Sequence, residues 1–175
     1  MGHIDEMAIG NVSLSTVKGL ANFTEGHKNT VVLNGGTTKV LTASDSGATC
    51  IFDTAGASNF TLPEPELGMR FTFISAITAT SDHVIQCATN DHGFLGGVTF
   101  TQLTSTSADQ CDSFSADADG NNDFITMNGS TTGGVAGCFL HVVAILGTGA
   151  AKSWAVHGNL IGTGNTITPF GDSQL

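Results

Sequence analysis

Positive charge is scarce in this sequence. Four lysines and one arginine stand against 15 acidic residues, and the formal net charge of the 175 residues is −10 at pH 7. Proteins hold nucleic-acid phosphates and acidic membrane surfaces with clustered Lys and Arg side chains. The chain has no such cluster, so we expect neither nucleic acid nor a membrane among its partners.

Long apolar runs and paired cysteines are also lacking. No window approaches the roughly 20 apolar residues of a membrane-spanning helix. Residues 1–10, MGHIDEMAIG, lack the basic and apolar regions of a secretion signal, so we expect synthesis in a cytoplasm. The spacing of the cysteines suits neither a disulfide framework nor a zinc half-site, and buried, reduced thiols are expected. The cysteines are Cys50, Cys87, Cys111 and Cys138.

Glycine is abundant, with 23 residues. From residue 30 onward, short runs rich in Thr, Val and Phe alternate with turn signals such as Asn34-Gly35-Gly36 and Gly133-Gly134. This pattern predicts an all-β fold, either a jelly-roll-like β-sandwich or a barrel, of about ten short antiparallel strands. The predicted strands are residues 31–33, 37–42, 49–52, 59–62, 69–78, 83–87, 98–103, 123–127, 138–146 and 153–156.

The length fits one domain, with a different character at each end. Residues 1–30 carry apolar side chains that follow no sustained period, and they are read either as an extended N-terminal arm or as an irregular first strand. Residues 31–160 form the predicted β-sandwich domain. Residues 161–175 are read as a C-terminal tail.

The run from 138 to 146 is apolar on both faces except at His141. Strands covered on both sides have this composition, so we expect a central strand. The second cover could come from the same chain or from a neighbouring subunit. Phe139, Val143, Ile145 and, from the run that follows, Trp154 are therefore candidates for the core or for a subunit interface.

Catalytic motifs are weak in this sequence. Ser46 lies in Asp45-Ser46-Gly47, but the flanking glycines of a trypsin-like site are missing, and a turn explains the tripeptide. The six histidines have no local metal spacing, although distant His and acidic residues could still meet in a hydrolase or lyase on a β-scaffold. We predict no catalytic residue, no cofactor and no enzyme activity.

One acidic stretch is a candidate Ca²⁺ loop. Oxygen ligands at alternate positions with a glycine at the bend can converge on a hard cation, yet Thr126 stands where an EF-hand places its glutamate. A solvated acidic loop is the favoured reading. The candidate ligands are Asp117, Asp119, Asn121 and Asp123.

Residues 40–74 contain a series of motifs in a distinctive order: VLTASDSGATCIFDTAGASNFTLPEPELGMRFTFI. An acid-Ser-Gly turn follows Leu41-Thr42, a strand closes in Thr61-Leu62-Pro63, and a Pro-x-x-Gly turn leads into an aromatic strand. This order resembles a recurrent pattern in structural proteins of tailed bacteriophages. More weakly, residues 153–158, SWAVHG, resemble the tryptophan strand that closes such domains.

The resemblance implies a non-enzymatic virion protein, most often a decoration or cement protein on the outer surface of the capsid. It implies a homotrimer with the major capsid protein as partner, with Phe139, Val143, Ile145 and Trp154 in the trimer interface or core. The alternative is a receptor- or carbohydrate-binding module of a fibre or tail, although the absence of Tyr leaves few sugar-stacking platforms. Residues 1–30 would lie across the capsid, with contacts from Ile4, Met7, Ile9, Val12 and Leu14.

Overall fold

The computed structural model of the protein describes residues 30–103, 111–146 and 152–172. These residues form twelve strands and a short 3₁₀ turn (Ala43–Asp45), and no α-helix occurs among them. None of their helical segments is long and apolar enough to cross a membrane. The strands are β1 (Val31–Leu33), β2 (Thr38–Val40), β3 (Thr49–Phe52), β4 (Ser58–Thr61), β5 (Arg70–Ser75), β6 (His83–Gln86), β7 (Phe94–Gln102), β8 (Cys111–Ser115), β9 (Phe124–Met127), β10 (Phe139–Leu146), β11 (Lys152–Gly162) and β12 (Phe170–Gly171).

The strands form two sheets, so the all-β prediction is confirmed. A seven-stranded sheet has the order β1-β3-β5-β10-β11-β7-β8, and a five-stranded sheet has the order β12-β9-β6-β4-β2. The predicted antiparallel arrangement is wrong for five of the ten described pairings, which are parallel. Both sheets are therefore mixed, and a jelly-roll topology is not confirmed.

The first six strands alternate between the two sheets. β1, β3 and β5 are parallel neighbours in the larger sheet, while β2, β4 and β6 are parallel neighbours in the smaller one. Each pair of consecutive strands thus makes one rung of a three-rung coil, residues 31–86. The connections inside a rung cross from one sheet to the other, and so they are arches and not hairpin turns.

Stacked hydrogen bonds hold the arches in place. Asn34, in the first arch, is 1% exposed and donates from Nδ2 to the carbonyl of Asn59 (2.9 Å) in the second rung. Its Oδ1 accepts the backbone N–H of Thr37 (3.0 Å). Gly35, at φ +69°, donates its N–H to the carboxylate of Asp53 in the second arch (2.6 Å). Asn34, Gly35 and Asp53 therefore supply the hydrogen bonds and the positive φ that the bend and its contact with the next arch require.

The other strands complete the two sheets. β10 pairs antiparallel with β5 on one side and with β11 on the other, so the predicted central position of this strand is confirmed. The expected boundary after residue 160 falls inside β11. The expected C-terminal tail also contains β12, which pairs with β9 and buries Phe170. The sheets therefore continue to residue 171, and the described part of the tail belongs to the domain.

The inner faces of the two sheets share one core. Phe52 of the larger sheet packs edge-on against Phe60 of the smaller sheet, with ring centroids 5.0 Å apart, and Phe60 lies 5.4 Å from Phe73. Trp154 is fully buried, with its ring 5.8 Å from that of Phe71. This packing of two inner faces gives a sandwich-like arrangement. It also assigns Trp154 to the core of the chain.

Candidate functional site: the outer face of the seven-stranded sheet

The outer face is the side of the seven-stranded sheet that points away from the core. Side chains alternate along a strand, so residues between buried neighbours lie on this face, and strand pairing aligns them in rows. One row runs Leu33, Ile51, Ile74, Phe139, Asn159, Thr99, Ser113 across seven strands. A second row runs Val31, Thr49, Thr72, His141, His157.

Half of the outer face is apolar and accessible. Val31 and Leu33 on β1 are 55% and 53% exposed, and Phe139 on β10 is 40% exposed. Ile51 and Ile74 lie between Leu33 and Phe139 in the first row and are partly exposed. A contiguous apolar patch on a soluble protein marks an interaction surface more often than scattered apolar residues do.

The other half of the outer face carries Thr, Ser and Asn side chains around an open recess. A recess of about 420 Å³ lies over β7, β8 and β11, and Phe139 forms its apolar wall. Thr99 and Thr101 both donate hydroxyl bonds to Oδ1 of Asn159, at 3.2 and 3.1 Å. These bonds fix the orientation of the side-chain amide of Asn159, which is one of the residues that line the recess.

Two histidines meet at the centre of the outer face. His141 of β10 and His157 of β11 are register partners, and their ring centroids are 5.1 Å apart with an interplanar angle of 31°. Nδ1 of His141 lies 2.9 Å from Oγ1 of Thr72 on the neighbouring strand. The ring of Phe139 packs edge-on against His141 at 5.7 Å. The His141 ring is therefore held from two sides.

The charge of the outer face differs from that of the chain. In the rows already described and in the row Arg70, Val143, Ala155, the one charged side chain is that of Arg70. No carboxylate stands in these rows, although the whole chain has 15 acidic residues. The acidic side chains thus lie outside these rows. Repulsion between two copies of the chain is therefore weaker when they meet through this face than when they meet through acidic parts of the surface.

The expected interface residues separate into two groups. Phe139, Val143 and Ile145 lie on the outer face, where Phe139 is exposed and the other two are partly exposed. Trp154 instead lies in the core. The second face of β10 is therefore not fully covered within the described residues. The expected capsid contacts at Ile4, Met7, Ile9, Val12 and Leu14 lie outside the described residues.

Side chains of the acidic loop form hydrogen bonds within the loop, and the backbone of its last residue bonds to Cys87. The amide of Asn121 donates to Oδ2 of Asp119 (2.8 Å), and the backbone N–H of Asp117 donates to the side chain of Asn122 (2.7 Å). Asp123 is buried, and its carbonyl accepts the N–H of Cys87. Across the described ranges, no group of three or more His, Cys, Asp or Glu side chains is arranged to hold a metal ion. The carboxylates of Asp117, Asp119 and Asp123 thus do not form such a group, while the amide of Asn121 bonds to Asp119.

Ser46 belongs to a turn, as predicted. Asp45 accepts the backbone N–H and the hydroxyl of Thr42 through Oδ2, at 2.8 and 2.7 Å. The hydroxyl of Ser46 accepts the backbone N–H of Arg70 (3.3 Å). Gly47 follows at φ +93°, where a residue with a Cβ would be strained. The tripeptide therefore lies between the first and second rungs of the coil and is hydrogen-bonded to the start of β5 in the third rung.

The buried titratable groups are structural. The ring of His83 is fully buried and stacks on Phe52 at 4.5 Å, and Nε2 contacts the carbonyl of Thr54 (2.9 Å). Burial lowers the pKa of His83 and raises the pKa of the Cys50 and Cys87 thiols to about 12. Cys111 is exposed, so the prediction that all the thiols are buried is wrong for this one.

The histidine pair was missed from the sequence. Residues 141 and 157 are 16 positions apart, and only the register between β10 and β11 brings them together. The usable signal is weak: His141 is the one polar residue of β10, whereas β11 carries Lys152, Ser153 and Asn159 besides His157. Comparison of the chain with protein-family models, with curated proteins and with solved structures found no match.

Proposed function

We propose that the protein is a non-enzymatic structural component of a phage virion that associates through the apolar half of its outer face. The observation that carries the proposal is the row Leu33, Ile51, Ile74, Phe139, which leaves apolar side chains accessible across four neighbouring strands. The expected occupant is a second copy of the chain. In a homotrimer, this half would face the three-fold axis.

Charge and shape favour self-association. A protein with a net charge of −10 repels its own copies, and a contact free of carboxylates reduces this repulsion. The side chains of this face are carried by paired strands, so little backbone conformational entropy is lost when the face packs against another. Burial of apolar area then supplies the favourable free energy.

The capsid contact is a separate part of the proposal. The resemblance of residues 40–74 to phage structural proteins supports a place on the outer surface of the capsid, with the major capsid protein as partner. Residues 1–30 are the proposed arm. We also propose that the fold is related to that of such proteins, in that two sheets pack face to face.

The oligomeric state tests the self-association. Light scattering after size exclusion should give a mass near three times 17.8 kDa for the native chain. Phe139→Glu places a charge in the centre of the apolar half and should give a monomer of unchanged fold. The matched control is Leu67→Glu, at a residue that is 62% exposed in the connection between β4 and β5, and it should remain trimeric.

Capsid binding tests the virion assignment. The native protein should sediment with capsids that lack their decoration, and removal of residues 1–25 should abolish this while the oligomer persists. A native monomer would contradict the self-association, and undiminished capsid binding by the truncated chain would contradict the arm.

A carbohydrate- or receptor-binding module is the second candidate function. The recess beside Phe139 favours it, because an exposed aromatic ring next to fixed hydrogen-bonding groups is the usual form of a sugar site. Specific glycans on an array that bind the native protein but not Asn159→Ala would support this candidate. If no glycan on the array binds the protein and the protein does bind capsids, the structural role in the virion is favoured.

A further inference from the structure

We propose that His141 and His157 form a chelating site for a divalent transition-metal ion such as Zn²⁺, Ni²⁺ or Cu²⁺. Imidazole nitrogens suit these ions, whereas Ca²⁺ and Mg²⁺ prefer oxygen ligands. The site needs only one chain. It therefore does not depend on the proposed structural role in a virion.

The backbone places the two rings side by side. His141 and His157 are direct partners in the antiparallel pairing of β10 with β11, which run through the centre of the seven-stranded sheet. β10 and β11 are paired over eight residue pairs. The Cα atoms that carry the rings are consequently fixed, and little ordering is needed when a metal binds.

The ring separation matches that of a chelate. A metal–nitrogen bond of about 2.0–2.1 Å places the metal about 3.2 Å from each ring centroid. Two imidazoles on one metal then have centroids about 4.5 Å apart for a right angle and about 5.2 Å for a tetrahedral angle. The observed separation of 5.1 Å falls in this interval.

Thr72 orients one of the two ligands. Its hydroxyl lies 2.9 Å from Nδ1 of His141, and metal-binding histidines characteristically donate their second N–H to such an oxygen. When Nδ1 carries the proton, Nε2 keeps its lone pair free for the metal. Phe139 packs edge-on against the same ring and restricts its rotation.

Accessibility and charge are also suitable. His157 is exposed and lines the recess of about 420 Å³, so hydrated ions can reach it. The net charge of −10 raises the local concentration of cations around the chain. Two protein ligands leave coordination positions for water, which are open to a further ligand.

The test is isothermal titration of the untagged, chelator-treated full chain with ZnCl₂ and separately with NiCl₂. The native chain should bind one metal ion at this site, and either His141→Gln or His157→Gln should weaken that event by at least about tenfold. Thr72→Val should weaken it about 10- to 100-fold, and Thr72→Ser should restore it.

Matched controls separate this site from other metal-binding side chains. His92→Gln and Cys111→Ser should leave the titration unchanged. The melting temperature of the native chain should rise with Zn²⁺, while that of the double variant His141→Gln/His157→Gln should not. Unaltered binding by the double variant would overturn the proposal, as would a Cu²⁺ spectrum of the native chain that showed fewer than two coordinated imidazole nitrogens.

Discussion

Replacement of Asn34 by alanine tests whether stacked arches hold the coil together. The Asn34 side chain is 1% exposed and makes two hydrogen bonds, one to the carbonyl of Asn59 and one from the N–H of Thr37. The first of these joins two rungs of the coil, and the second closes the bend of the first arch. Asn34→Ala removes both and adds no atoms that could clash.

The expected loss of stability follows from the groups that are left behind. A buried polar group without its partner costs about 1–3 kcal/mol. Thr37 N–H and Asn59 C=O are only partly buried, so we expect a total near 2–4 kcal/mol. For a chain of this size, about 1 kcal/mol shifts the melting temperature by about 2–4 °C. The variant should therefore melt about 5–15 °C lower.

Urea unfolding followed by fluorescence of Trp154 measures this loss directly. Asn121→Ala is the matched control, because its side chain bonds only Asp119 in an exposed loop, and a change within about 0.5 kcal/mol is expected. Asn34→Asp keeps the acceptor for Thr37 but sets a carboxylate oxygen against the carbonyl of Asn59 at a site that is 1% exposed, so it should lose at least as much stability as Asn34→Ala. A loss below about 1 kcal/mol for Asn34→Ala would refute the role assigned to the arch.

Three further predictions concern the buried histidine His83, the cysteines and a closely packed glycine, Gly158. Burial lowers the pKa of His83, so the unfolded chain binds more protons than the folded chain below the ordinary pKa of 6.5. The free energy of unfolding should therefore fall as the pH drops from 6.5 towards 5, by up to about 1.4 kcal/mol per pH unit. Urea unfolding at several pH values should show a smaller pH dependence for His83→Asn than for the native protein, and equal pH dependences would contradict this prediction. A thiol reagent should modify one cysteine of the native chain, Cys111, and all four after unfolding; rapid modification of a second thiol would contradict the burial described. Gly158→Ala should destabilise the protein by about 1–3 kcal/mol in the same urea assay, because the new Cβ would lie 2.2 Å from the carbonyl oxygen of Phe139. Gly56→Ala is the control and should be nearly neutral, because no described residue other than its chain neighbours lies within 4 Å of the new Cβ.

Strand positions were largely predictable from the sequence, but strand partners were not. Short runs of strand-forming residues between turn signals located ten of the twelve described strands, and β10 was correctly placed in the centre. β8 was missed because its sequence, CDSFS, is polar and lies at a sheet edge, and β12 has only two residues. Pairing failed because Asn34-Gly35-Gly36 has the composition of a hairpin turn yet forms an arch.

The missing information was the pairing of strands that lie far apart in the sequence. The parallel neighbours β1, β3 and β5 begin at residues 31, 49 and 70, and local patterns do not reveal pairing over such distances. The same limit applies to the outer face. His141 and Phe139 could be named as unusual residues of one strand, but their neighbours Thr72 and His157 depend on the register of two other strands.

The rungs of the coil have a consequence for how this protein could vary in length. Each rung adds one strand to each sheet, and its contacts are mainly with the rung before and the rung after it. Duplication of a segment such as residues 49–69 would extend both sheets by one strand and leave the remaining pairs in register. The outer face would then widen without a change in its fold. Insertions and deletions of about one rung are thus the changes in length that this architecture should accept, and shorter ones within a strand should be rejected.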